Sequence, residues 1–164
     1  MARRSRNRSP TTQATLALAR AGVEHVAHTY EHDPRAASYG LEAAQALGVD
    51  AARVLKTLLA EVDGRLAVAV VPVSAQLDLK ALARALGGSR AVMADPAVAA
   101  RATGYVVGGI SPLGQKKALP TVVDAGALEH PTVLVSGGRR GFDLELSPAD
   151  LVSLTRATTA PVSR

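Results

Sequence analysis

The sequence predicts an α+β fold: one compact domain with a mixed, mostly antiparallel, barrel-like sheet surrounded by helices. Three observations lead there. Helix-period and strand-period segments alternate along the chain. The pair Asp63-Gly64 stands between two apolar runs, KTLLAEV and RLAVAVVP, and Asp-Gly between such runs is a strong hairpin signal. The length of 164 residues fits one domain, with neither an internal repeat nor an interdomain linker. Hairpins mixed with helices argue against a doubly wound parallel sheet.

TTQATLALARAG reads as a helix stopped by Gly22, a residue type that readily takes the left-handed conformation after a last turn. VEHVAHTY alternates and reads as a strand, followed by the polar loop EHDPRAASYG. GLEAAQALGV is a short helix and DAARVL a further helical turn. The hairpin strands come next. LDLKALARALGG is an amphipathic helix ended by Gly87 and Gly88, and SRAVMA is a strand. Asp95-Pro96 supplies an N-cap with proline at the first helical position, so DPAVAARAT is expected to be helical. Strands are expected near TVVDAGAL, TVLVSGG and FDLEL. Ser147, Pro148 and Asp150 then open a last helix in a capping-box-like pattern. The resulting division is a disordered basic leader over 1–10, the domain over 11–157, and a C-terminal tail over 158–164.

Composition narrows the chemistry. Hydrophobic residues make up 48% and aromatics 2%, so the core must be built from Ala, Val and Leu. Cysteine is absent, which excludes disulfides, thiolate zinc sites and a cysteine nucleophile. No apolar run approaches the roughly 20 residues of a membrane-spanning helix. The positive N-terminus lacks the apolar stretch of a secretory signal, so no membrane partner and a cytoplasmic location are expected. The net charge is +5, but Arg3, Arg4, Arg6 and Arg8 lie in the leader. Without them 15 basic residues face 14 acidic ones, so the domain itself is nearly neutral. Such a leader either adds non-specific attraction for phosphates or is simply solvated.

The stretch TGYVVGGISPLGQKK, residues 103–117, carries Gly104, Gly108, Gly109 and Gly114. Glycines let a ligand approach the main chain. Neither GxxxxGK[ST] nor GxGxxG is present, so this is a ligand cradle of another kind or a plain turn between strands. Lys56 opens a strand and by two-residue alternation shares the apolar face of Leu58, Ala60 and Val62. A lysine there either snorkels from the strand end or reaches a ligand. Tyr30 and His28 share a face with Val26; either could bond a ligand, or Tyr30 could be a core residue with its hydroxyl at the rim. His25, His28 and His32 lack HExxH, and a strand splays His25 and His28 to opposite faces, so no metal site is expected. VSGGRRGFD places Ser136 and Asp143 around a second glycine-rich turn, either a pocket wall or a tight hairpin. Ser111 and Ser136 lack the GxSxG setting of an activated nucleophile.

The blocks HTYEHDP, VLKTLLAEVDG, VVPVSAQLDLKALARALG, MADPAVAARATGYVVGGISPLGQKKALPTVVD and VSGGRRGFDLEL resemble the YbaK (EbsC-like) family of aminoacyl-tRNA deacylases, free-standing relatives of the bacterial prolyl-tRNA synthetase editing domain. The resemblance runs from about Thr12 to about Thr155. It implies hydrolysis of the ester joining a mischarged amino acid to the 3′-terminal adenosine of tRNA, with Cys-tRNA(Pro) the expected substrate and Cys-tRNA(Cys) a further one. Lys56 matches the family's essential lysine; Tyr30, Thr57, Gly108, Ser136 and Asp143 match pocket positions. Tyr39 falls where relatives often carry Phe, and Phe142 where Leu is common. Backbone N–H groups from Gly108 through Gly109 to Ser111 are expected to face a developing oxyanion. In the family's mechanism the cysteinyl thiol attacks its own ester, so the protein supplies geometry and no cofactor is expected. The expected partner is mischarged tRNA, with prolyl-tRNA synthetase as a source of tRNA selectivity. An alanyl-tRNA(Pro)-type deacylase and a non-catalytic tRNA- or synthetase-binding module are the alternatives; intact Lys56 and glycine loop favour an enzyme.

Overall fold

The computed structural model describes residues 9–36 and 38–164. The arginines of the basic leader lie outside the described residues. Helix α1 (Gln13–Ala21) begins at Thr12, whose hydroxyl accepts from the Thr15 N–H while the Thr15 hydroxyl accepts from the Thr12 N–H. It ends at Gly22, with φ +64°. Strand β1 (Val26–Thr29) and helix α2 (Tyr39–Leu47) follow, the helix capped by Ser38. DAARVL forms a 3₁₀ turn over Ala51–Arg53. Strands β2 (Leu55–Val62) and β3 (Arg65–Pro72) make the expected hairpin. Asp63 and Gly64 both take positive φ there, as a two-residue loop that follows the strand twist requires.

Helix α3 (Leu79–Ala85), strand β4 (Ala91–Met93) and helix α4 (Pro96–Thr103) come next. Asp95 caps α4 by accepting from the Ala97 N–H at 2.8 Å. After the glycine loop come β5 (Thr121–Asp124), a 3₁₀ turn, β6 (Val133–Arg139), β7 (Phe142–Leu146), α5 (Pro148–Thr155) and β8 (Thr158–Ala160).

The fold is the expected α+β domain, mostly antiparallel, but the strands do not close into one barrel-like sheet. They form two sheets, of order β1-β7-β6 and β4-β2-β3-β5-β8, joined by a single parallel bridge between Val54 and Leu134. The β3–β5 and β5–β8 pairs are parallel. Strand β3 is buried on both faces. Val68 and Val70 join the cluster of α1, α5 and the three-stranded sheet, while Ala67, Ala69 and Val71 pack with Leu82, Ala83 and Val162. The C-terminal segment read as a tail is an edge strand. The buried Asp124 carboxylate collects the Val162 and Ser163 amides at 2.9 and 3.1 Å, and Val162 is fully buried. A three-residue strand of Thr and Ala has no periodicity to announce it; its partner is set by a long-range hydrogen bond.

One feature of the topology makes room for a site. Strand β4 pairs only with the far half of β2, Ala60–Val62. Residues 55–59 therefore have no strand on that side, and a gap opens toward β6 and β7.

Candidate functional site

A cavity of about 400 Å³ fills this gap, at the lower end of the range that small ligands occupy. The first half of β2 forms its floor, including Lys56 and Thr57. Helix α2 supplies Tyr39, the glycine loop Gly108, and the β6–β7 pair Ser136, Arg139 and Asp143, with Tyr30 beyond β1. Seven of the nine residues singled out in the sequence thus meet at one place.

Each side chain is placed for a local reason. The Leu59 carbonyl accepts from the Ala94 N–H on the β4 side. Alternate residues of a strand point their backbone groups to the same edge, so the Thr57 N–H and C=O also face the unpaired edge and the cavity. The Thr57 hydroxyl is buried without a hydrogen-bond partner among the described residues, and such a group calls for an explanation. Lys56 stands on the face of Ala60 and Val62, which is core. Burial lowers the pKa of its ammonium, and no carboxylate offsets this. None of the ion pairs among the described residues includes it.

Asp143 is cross-strand partner to His28 on β1 and to Ser136 on β6. Such partners project from the same face of a sheet, so the three form a polar row. Asp143 is 7% exposed. Burial pushes its carboxyl up to about 7, against a smaller opposing pull from His28. Tyr30 is pushed up to about 12 by burial and, secondarily, by the Asp143 charge. Among the described residues Asp143 is the one acidic residue in the cavity wall; Lys56 and Arg139 are the cations. The Ser136 hydroxyl accepts from the Gly138 N–H at 3.2 Å, and no imidazole bonds it among the described residues.

The glycine loop divides into parts that reach the cavity and parts that do not. Val106 to Gly109 is a turn closed by the Gly109 N–H on the Val106 carbonyl at 3.0 Å, with Gly108 at φ +89°. A Cβ on Gly108 would lie 2.5 Å from Arg140 Nε and 2.9 Å from the Tyr39 ring. Gly109 departs from expectation: its amide is taken by the turn, and it packs against the Arg139 backbone outside the cavity wall. Ser111 departs too. It is fully buried and its hydroxyl accepts from the Leu113 N–H, so it shapes the loop and does not line the cavity.

The histidines act as structural partners. His28 bonds Glu145 at 2.8 Å and His32 bonds Glu42 at 3.1 Å. Arg139 and Met93 line the cavity without having been singled out in the sequence. The dipeptide Arg139-Arg140 in a glycine-rich turn was a readable signal for the first. Met93 had none, because its place depends on where β4 ends.

Comparison with known proteins bears on the family and the fold. The aminoacyl-tRNA editing domain family matches residues 33–154. A protein of Enterococcus faecalis named as a candidate Cys-tRNA(Pro)/Cys-tRNA(Cys) deacylase, EbsC, is 38% identical over 122 residues, 73% of this chain and 74% of that protein. The crystal structure of a candidate trans-editing enzyme for prolyl-tRNA synthetase superposes with a TM-score of 0.81 at 27% identity, over 95% of this chain and 99% of that one. The crystal structure of a hypothetical protein superposes with a TM-score of 0.83 at 28% identity, over 93% and 100%. The chain belongs to the aminoacyl-tRNA editing domain family and is an editing hydrolase.

Proposed function

We propose that the protein removes cysteine from mischarged tRNA, with Cys-tRNA(Pro) and Cys-tRNA(Cys) as substrates, and that the thiol of the substrate is the nucleophile. The observation that carries this reading is the make-up of the cavity wall among the described residues: one carboxyl, Asp143, two cations, Lys56 and Arg139, and two serines, Ser38 and Ser136, neither bonded to a base. An aminoacyl ester brings a cationic α-amino group and, beyond the ribose, an anionic phosphate. Asp143 suits the first, and Lys56 and Arg139 the second. The name of the E. faecalis relative supports cysteine as the amino acid.

The protein's task is then to fold the ester into a reactive geometry. The cysteinyl sulfur attacks its own carbonyl carbon and the thiol proton leaves. The C–S bond forms, the C–O bond to the ribose breaks, and the ribose oxygen takes up a proton. The four-membered thiolactone is then opened by water to free cysteine. Holding the groups in place can supply roughly 7–11 kcal/mol at best. Thr57, whose hydroxyl and backbone edge are unpartnered, and Gly108, where a side chain would collide, border the carbonyl. Lys56 stabilises the charge that develops on it. A synthetase partner, prolyl-tRNA synthetase, supplies tRNA selectivity that the nearly neutral domain lacks.

The test is a deacylation panel: tRNA(Pro) charged with cysteine, alanine, serine or S-methylcysteine, and Cys-tRNA(Cys). Rapid loss of both cysteinyl esters, survival of the S-methyl ester and release of a thiolactone are expected. Rapid cleavage of the S-methyl or alanyl ester would overturn the thiol-assisted reading and put an activated water in its place.

A further inference from the structure

Behind the cavity, on the same face of the three-stranded sheet, lies a second row of polar groups. Glu145 stands two residues beyond Asp143 on β7. It accepts from His28 Nε2 at 2.8 Å, from the Thr132 hydroxyl at 2.5 Å and from Arg53 at 3.1 Å. These contacts, led by the Thr132 hydroxyl, hold its carboxyl below the usual range. Its negative charge is thus fixed, and it pins the His28 ring. Val26, opposite Glu145, is apolar, so His28 is the β1 side chain placed to face both carboxylates.

We propose that His28 is a positioning residue for Asp143: oriented by Glu145 at the back of the cavity, its imidazole opposes the burial that protonates the Asp143 carboxyl and so favours the carboxylate form that meets the substrate's α-ammonium. This rests on the reading of Asp143 as the anchor of the amino group.

The geometry leaves few other groups for the task. Tyr30 faces Asp143 from the segment after β1, and an ionised phenol would oppose the carboxylate. Ser136 faces it from β6 but is not titratable in this range. Glu145 on β7 is anionic, and its charge is already matched by Arg53 and His28. Lys56 from β2 and Arg139 from β6 share the cavity with Asp143, but no ion pair joins either of them to it among the described residues. A carboxyl so buried is neutral unless a cation stands near. His28 is its direct cross-strand neighbour, and His28 itself does not line the cavity. Its effect on the substrate therefore passes through Asp143.

The experiment follows the Asp143 side-chain carboxyl by carbon NMR titration of the full chain, in wild type, His28→Gln and Glu145→Gln, beside pH profiles of kcat/KM on Cys-tRNA(Pro). Gln at 28 keeps a hydrogen bond to Glu145 without the charge. The Asp143 midpoint is expected to rise by about one pH unit in His28→Gln, and the acid limb of kcat/KM to move with it. Glu145→Gln keeps the folding contact with Thr132 while freeing the ring, and is expected to move the midpoint less. An Asp143 midpoint unchanged in His28→Gln, with the melting temperature preserved, overturns the proposal. If the midpoint moves while Asp143→Asn still turns over Cys-tRNA(Pro) at the wild-type rate, the His28 coupling stands and the anchor reading falls.

Discussion

Arg140 holds its guanidinium carbon 4.5 Å from the centroid of the Tyr39 ring and donates from Nη2 to the Val107 carbonyl at 2.8 Å. One side chain thereby ties helix α2 to the glycine loop across the mouth of the cavity. Tyr39 also meets His32, with ring centroids 5.5 Å apart and the rings tilted at 49°. Gly108 lies under this stack, where any Cβ would collide with it. The two residues belong to segments more than ninety positions apart, and together they set how wide the entrance is.

Arg140→Ala is expected to loosen this entrance without touching the chemistry. KM for charged tRNA should rise by roughly five- to tenfold, the worth of an exposed cation–π contact and one hydrogen bond, with kcat within about twofold. Gly108→Ala should be worse, because it combines the collision with a positive φ. The double variant Gly108→Ala/Arg140→Ala should recover part of that loss. Steady-state kinetics on the four proteins check this; additive losses would show that the stack and the glycine are independent.

Lys56→Ala is expected to lower deacylation by about 10²–10³-fold, the scale for removing one charge-stabilising donor, with the melting temperature near wild type. Among the described residues the amine has no ion-pair partner to orphan. Lys56→Arg should fail as well, since a planar fork does not replace a compact ammonium. Retention of most activity by either variant would remove Lys56 from the reaction.

Asp143 gives the protein a pH-dependent stability of unusual sign. Its carboxyl is raised from 3.8 to about 7 in the folded state. Between those values the folded chain holds a proton that the unfolded chain has released, so this group's contribution to stability falls as pH rises through the window. Asp143→Asn should therefore stabilise the protein above pH 7, by roughly 4 kcal/mol at most, with the gain shrinking toward pH 4. Thermal melts of both proteins across this range check it. A gain that is the same at every pH would show that the carboxyl is not penalised by burial.

Asp124→Asn tests the C-terminal strand. The buried carboxylate accepts the Val162, Ser163 and Gly126 amides. An amide group offers one oxygen where two were used, and should cost about 1–3 kcal/mol. Denaturant unfolding checks the loss. Amide exchange should then quicken first at Thr158–Ser163, ahead of β3.

The sequence by itself determined most of the elements, and seven of the nine residues it singled out line the cavity. Caps at Thr12 and Asp95, stops at Gly22 and Gly48, and the Asp63-Gly64 turn act through hydrogen bonds and φ values within a few residues, so the local sequence carries them. Lys56 was visible as a charge on an apolar face, a conflict legible without coordinates. Tertiary structure decided what depends on partners far away in the chain. The strands fall into two sheets, and β4 reaches only the far end of β2, a shortfall that opens the cavity. Pairing Thr158–Ala160 beside β5 required the Asp124 carboxylate. Ser111 turned inward and the Gly109 amide closed its own turn, although both stand in the glycine-rich stretch, because the direction in which a loop residue points is set by what packs behind it. The meeting of His28, Asp143 and Glu145 is a matter of strand register, and register is fixed by pairing between distant segments.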